Sequence, residues 1–305
     1  MALDAEQLLT FLVLAETGSV SETARRSHRG QPAISERLRK LNESVGEPLY
    51  VHENGKLRLT EMGLALLPEI QRLRTNMQVL EDFVRKKQNL ELGTLRLAST
   101  SLIVNYHLPH ILHQFRQKYP HINLLIHSGE RYWQGLLAEK VDGIFFENGA
   151  EAPQLPTSYE VYLWRNDDIL AVLPLDHPLS HQPVISLEQL RDYPLVWREP
   201  SSGTRRILEK ALLAKDIQPA HFIEVVDVES VGALVEAGLG IGFMPRSVID
   251  RRQDWRLQKM PLAANLVLET YLAVPPDGQR SRVLRAFLDL LQISTKQQEA
   301  IPRMA

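Results

Sequence analysis

The stretch GQPAISERLRKLNESVG, residues 30–46, decides how the N-terminal part of this chain is read. Gly30 and Gln31 stand before Pro32, a residue suited to the first turn of a helix, where a missing N–H costs no bond. Beyond it Ile34, Leu38, Leu41 and Val45 recur at spacings of four, three and four, so one stripe packs inward. At about 100° per residue, the opposite face carries Pro32, Ser35, Glu36, Arg39, Lys40 and Glu43. Upstream, a helix over 4–16 places Leu8, Phe11, Leu12 and Ala15 on one side, and a short second helix starts at Ser19. Ser19 precedes Glu22 by the spacing of a capping box. Between Arg25 and Lys40 six basic residues face a single acid, Glu36. Two short helices with a tight connection and a basic outer face on the second make a helix-turn-helix, whose second helix lies in the major groove of DNA.

Downstream, 49–51 and 57–59 are short β-like runs around Glu53-Asn54-Gly55-Lys56, and Asn-Gly is a strong hairpin signal. The hairpin predicts a wing with His52, Lys56 and Arg58 beside the phosphates that flank the groove. The reading head thus expects Arg29, Gln31, Pro32, Ser35, Glu36, Arg39 and Lys40 at double-stranded DNA, together with those three wing residues. From Thr60 the apolar residues Leu66, Ile70, Leu73, Met77, Leu80 and Val84 alternate spacings of four and three, a heptad seam. Such a seam buries its stripe on a second helix, most simply that of another copy of the chain, or else docks on its own domain. Pro68 is discordant and predicts a kink or a first turn.

Composition sets the limits around these motifs. The 305 residues are 44% hydrophobic and 24% charged, enough for two or three compact units. The absence of cysteine excludes disulfides, thiolate nucleophiles and cysteine-ligated zinc. A formal net charge of -2 argues against bulk attraction to nucleic acid and leaves only the local patch. No run approaches the roughly 18 apolar residues of a membrane span, and the start MALDAEQLLTFLVLAETGSV lacks a basic leader, so a cytoplasmic location without membrane contact is expected.

After a break at 89–93 the texture changes. Strand-like runs at 95–98, 122–127, 144–146, 159–164, 169–173, 222–226 and 266–274 alternate with helical segments, an α/β pattern with mainly parallel sheets. Residues 7–63 resemble the N-terminal domain of the LysR-type transcriptional regulators. The resemblance rests on QLLTFLVLAETGSVSETARR, QPAISERLRKLNESVGEPLY and LRLTEMG, and more loosely on LGTLRLA, LPHILHQFRQKYPHINLLI and EAGLGIGFMP further along. Gly30 stands where that family usually has Ser, and His52 where it commonly has Arg. The resemblance implies a winged helix-turn-helix over 1–60 and a linker helix over 61–90 that joins reading heads into homodimers, with a homotetramer expected. It also implies an effector domain over 91–305 with the fold of the periplasmic binding proteins. Lobe one is expected at 91–164 and 268–305 and lobe two at 165–267, with crossing strands near 165–168 and 263–267.

Ser99, Thr100 and Ser101 follow the first strand of lobe one, and Ser201, Ser202, Gly203 and Thr204 precede a helix in lobe two. A helix start presents free N–H groups and partial positive charge, so two hydroxyl clusters facing one cleft predict a small anionic effector, such as an organic acid. Simple capping explains each cluster alone. Trp133 and Phe146 are further candidates for the cleft wall. His107, His110 and His113 are spread too widely around a helix to hold a metal, and Gly238, Gly240 and Gly242 precede rather than follow a strand-like run, the wrong context for a dinucleotide site. Neither a nucleophile elbow nor a P-loop occurs, so no enzyme activity and no cofactor are expected. The alternative is a solute-binding or enzymatic α/β protein with an oligomerising helical N-terminus, which would lack salt-dependent duplex binding.

Overall fold

The computed structural model describes residues 3–53, 56–128, 141–149 and 155–292. The chain divides into two units, residues 1–89 and 90–305. In the first, α1 (Ala5–Thr17), α2 (Val20–Arg26) and α3 (Gln31–Val45) pack around Phe11, Leu12, Leu14, Ile34, Leu38 and Leu41. The starts of α1 and α2 are capped by Asp4 and Ser19, which accept from the N–H groups of Gln7 and Glu22. Gly30 at the start of α3 supplies no side-chain cap, as the glycine there requires. Gly18 and Gly46 end α1 and α3 at φ 66° and 94°, left-handed positions that a side chain would strain.

Strands β1 (Tyr50–Glu53) and β2 (Lys56–Leu59) pair antiparallel, with Glu53 opposite Lys56. Asn54 and Gly55, the expected turn, lie outside the described residues. Thr60 caps α4 (Glu61–Gln88), a single helix with Pro68 inside it, beyond the first turn. A helix can carry this proline because only one donor is lost, the one that would reach Leu64. The heptad seam of α4 is two surfaces. Ile70 is buried, and Leu66 and Leu73 pack on the core of the unit itself, whereas Leu80 and Val84 are exposed with Val79 and Phe83. Expectation of one continuous seam for a partner is therefore corrected: its first half is already occupied by the three-helix core.

Among its described residues the second unit has nine strands in one hydrogen-bonded order, β4-β3-β5-β11-β6-β9-β7-β8, with β10 paired to β6. Around one half lie β3 (Gly93–Ser99), α5 (Ser101–Tyr106), α6 (Leu108–Lys118), β4 (Ile122–Ser128) and β5 (Gly143–Glu147). Around the other lie β7 (Leu195–Arg198), α7 (Gly203–Leu213), β8 (Phe222–Val225), α8 (Val228–Glu236), β9 (Ile241–Pro245), α9 (Arg246–Arg251) and β10 (Leu257–Met260). The long β6 (Glu160–Pro174) serves both halves, pairing with β11 (Val267–Val274) up to Asp168 and with β9 from Ile169. The last described helix, α10 (Arg282–Leu291), returns to the first half and buries Phe287 against Phe115.

The runs 159–164 and 169–173 read as two strands are thus one. The polar residues between them, Arg165 to Asp168, sit where the strand crosses from one lobe to the other. Parallel pairing holds within each lobe, β3 with β4 and β5, β7 with β8 and β9, while β6 and β11 run antiparallel to their neighbours. A chain that crosses between lobes and comes back must reverse its crossing strand, so the sheet is mixed rather than mainly parallel.

Candidate functional site

In the first unit the outer face of α3 is exposed at Gln31, Pro32, Ser35, Glu36, Arg39 and Lys40, and Arg29 is exposed in the turn before it. His52 and Arg58 are exposed on the wing, and Lys56 begins β2. The connection between α2 and α3 is tight, with His28 in the left-handed region at φ 50°. The basic patch is less free than a linear count implies. Arg39 donates to Glu36 at 2.7 and 2.8 Å and to Glu43 on the next turn, and Lys40 lies 3.7 Å from Glu36. Arg25 and Arg26 pair with Glu22, Arg37 with Glu6 and Arg58 with Glu53. The hydrogen bond from Arg39 holds the Glu36 carboxyl down, to about 2. The carboxylates that offset the patch are supplied by spacings of three and four on the helices and by neighbouring elements, so a window over 25–40 misses most of them.

In the second unit a cavity of about 450 Å³ is lined from both lobes. Lobe one contributes Thr100, Ser101, Leu102, Asn105 and Glu147, and lobe two Arg198, Glu199, Ser201, Ser202, Asp227 and Glu229. Nearly all follow directly on the C-terminal ends of the parallel strands β3, β5, β7 and β8, the place where open α/β sheets bind ligands. The hydroxyl of Thr100 accepts from the N–H of Ile103 and donates to Glu147 at 2.6 Å. Asp227 caps α8 by accepting from the N–H of Ser230. Tyr106 of lobe one donates across the cleft to Glu229 of lobe two at 2.7 Å, and burial with this bond pushes its phenol up to about 12. The lobes also touch at the backbone, where a Cβ on Gly203 would meet the Asn148 carbonyl at 2.5 Å. Only glycine permits that approach.

Of the expected effector residues, Thr100, Ser101, Ser202 and Gly203 line the cavity. Thr204, Ser99 and Phe146 do not. Thr204 is buried two residues after Ser202, about 200° around the helix and therefore turned away. Ser99 is the last residue of β3, its hydroxyl buried without a partner among the described residues. Phe146 alternates with Glu147 along β5 and stacks on Tyr271 at 5.6 Å, on the opposite face. Trp133 lies outside the described residues. The carboxylates of the lining were missed, although Glu147, Glu199 and Asp227 stand within two residues of a strand end, which is the signal that marks them; Glu229 lies further on, in the first turn of α8.

A winged helix-turn-helix with a basic outer helix, carried on the same chain as a two-lobed α/β unit with a polar cleft, defines a DNA-binding protein of the ligand-controlled kind. Residues 5–64 match the bacterial regulatory helix-turn-helix of the lysR family, and residues 88–295 match the LysR substrate binding domain. The chain belongs to the LysR family of DNA-binding transcriptional regulators, proteins that are not enzymes. Among its relatives, the HTH-type transcriptional activator CmpR of Synechocystis sp. is 30% identical over 93% of each chain. The HTH-type transcriptional regulator YwqM of Bacillus subtilis is 27% identical over 96% of this chain and 100% of its own. Among solved structures, a full-length OxyR variant from Pseudomonas aeruginosa shares the fold with a TM-score of 0.79 at 20% identity, covering 95% of this chain and 100% of its own. CbnR complexed with its target DNA does so at 0.67 and 19%, covering 95% and 99%.

Proposed function

We propose that this regulator works in the cytoplasm as a homodimer, assembling further to a homotetramer, and that its effector carries an anionic group bound in the cleft. The observation that carries the reading is the cavity itself, lined from both lobes at strand ends and open to the start of α7. Closure on an effector then biases how the paired heads meet DNA, because a ligand that favours one arrangement of the lobes shifts the population toward it. The exposed second half of α4 supports dimerisation through that helix. At the head, α3 enters the major groove with Arg39 as the principal reader, Gln31, Ser35, Glu36 and Lys40 around it, and Pro32 and Arg29 at its start; His52, Lys56 and Arg58 serve the phosphates.

An operator selected from random duplexes supplies the test. Arg39→Ala is expected to weaken its binding about tenfold or more while the melting temperature stays put, since an arginine at a base edge or phosphate is worth that much. Equal gel-shift affinities of variant and parent remove Arg39 from the interface. For the cleft, Ser201→Trp places bulk on the lining and is expected to abolish effector binding measured by calorimetry.

A further inference from the structure

Among the described residues three helices begin at the cleft cavity, and two of their starts are filled by their own chain: Thr100 caps α5 and Asp227 caps α8. The start of α7 is different. Ser202 occupies its cap position with 6% of its surface exposed, yet its side chain makes no capping bond, and no hydrogen bond of its hydroxyl is found among the described residues. An almost buried residue that lines a cavity with its hydroxyl unpaired points to a ligand atom as the missing partner. With the partial positive charge of an eleven-residue helix behind it, that atom is best an anionic oxygen.

The rest of the described lining has the opposite sign. Glu147, Glu199, Asp227 and Glu229 face a single guanidinium, Arg198, which is paired with Glu199 at 2.7 Å. Glu147 is nearly buried and accepts from Thr100, while Glu229 gives one oxygen to Tyr106. A ligand that carried only negative charge would enter a partly enclosed space already rich in carboxylates, where like charges repel more strongly than in water.

We infer that the effector is a zwitterion of the amino-acid kind, its carboxylate at Ser202 and the start of α7, and a protonated nitrogen turned to Glu229 and Glu147. The inference rests on the cleft being the effector site and adds the charge class of its ligand. Such a molecule joins lobe two, through α7, to lobe one, through Glu147, so its binding favours closure. A cavity of about 450 Å³ has room for it.

The test uses the full chain in calorimetry and melting experiments against the common L-amino acids. Each binder is then compared with the 2-hydroxy acid that lacks its amine and with the amine that lacks its carboxylate. At least one amino acid is expected to bind and raise the melting temperature, and removal of either charged group should lower affinity about tenfold or more. Glu229→Gln should weaken the amino acid by a similar factor without weakening the hydroxy acid. Ser202→Ala should weaken both acids and spare the amine. The inference is overturned if no amino acid binds, or if dicarboxylates or sulfate bind as well as the best amino acid and gain affinity in Glu229→Gln. Ser201→Trp separates the two readings. Binding that survives this variant, with its unliganded melting temperature unchanged, places the ligand outside the cleft whatever its charge; binding that is lost keeps the cleft and leaves its charge class to the other variants.

Discussion

Arg39 is held along α3 by carboxylates on both sides, Glu36 toward the N-terminus and Glu43 one turn on. A guanidinium that reaches guanine or phosphate must first leave these partners, so unspecific contact with any duplex is partly offset by the bonds given up. Exposed pairs of this kind are individually weak. Even so, Glu43→Gln removes one competitor and one negative charge from the groove face. Its expected result is a rise of about threefold in affinity for random-sequence duplex, with a steeper salt dependence, as one more cation becomes available to phosphate. Fluorescence anisotropy over a salt series measures both; an unchanged slope would mean that Glu43 lies away from the DNA. Glu43 was visible in the sequence on the polar face of the helix, but its role as a partner of Arg39 depends on side-chain conformations that periodicity does not carry.

At the scale of the element, α4 does two jobs with one heptad pattern. Its first half completes the core of the reading head, where Ile70 is 2% exposed, and its second half presents Leu80 at 64% and Val84 at 50%. Charge introduced in the two halves should therefore have different consequences. Leu80→Glu with Val84→Glu is expected to dissociate dimers and leave the head folded, since a carboxylate resists burial in a helix seam. Leu73→Glu should instead destabilise the head by about 2 kcal/mol or more, because that side chain packs on its core. Sedimentation reads the first outcome and urea denaturation the second. Dimers that persist in the double variant would move the self-association surface off this helix.

Across the second unit, a buried polar group sits where the lobes join. His107, between α5 and α6, is 3% exposed; its Nε2 lies 3.4 Å from the Ser247 hydroxyl of α9 and 3.9 Å from Asp167 on the crossing strand. Burial first, then the neighbouring Arg165 and Arg251, bring its imidazole down to about 4, while burial pushes the Asp167 carboxyl up. Each group is driven toward neutrality, so the short approach is not an ion pair at neutral pH. A histidine with a depressed folded pKa makes the unfolded chain bind the extra proton between its ordinary value, near 6.5, and about 4. Its neutral burial is thus fully tolerated above that window, and stability falls as the pH drops through it, by about 3 kcal/mol in total. Asp167 acts in the opposite direction, since a raised carboxylate binds its proton more readily in the folded state. His107→Gln is expected to remove the loss on acidification and leave the opposing slope of Asp167. Urea denaturation at pH 7 and pH 5 decides it: a variant that loses as much stability as the parent would assign the acid sensitivity to other groups.

The sequence by itself determined the reading head and the alternation of the second unit. Stripes at helical spacing, Ser19 before Glu22, Asn-Gly between short strands and Pro32 at a helix start are local signals, and helices and hairpins answer to neighbours a few residues away. It also marked Thr100 and Ser202 as helix-start hydroxyls in two different parts of the chain. Tertiary structure alone decided which side chains meet across the cleft. Glu147, Asp227 and Glu229 carry no motif; they share a cavity because β5 of one lobe and the turn from β8 into α8 of the other, distant in sequence and in strand order, border the same cleft. Strand alternation sent Glu147 to the cavity and Phe146 away from it, and the turn of α7 did the same for Ser202 and Thr204. The division of the α4 seam has the same origin: heptad spacing states that a stripe is apolar, but whether it meets its own core or another chain depends on what folds beside it.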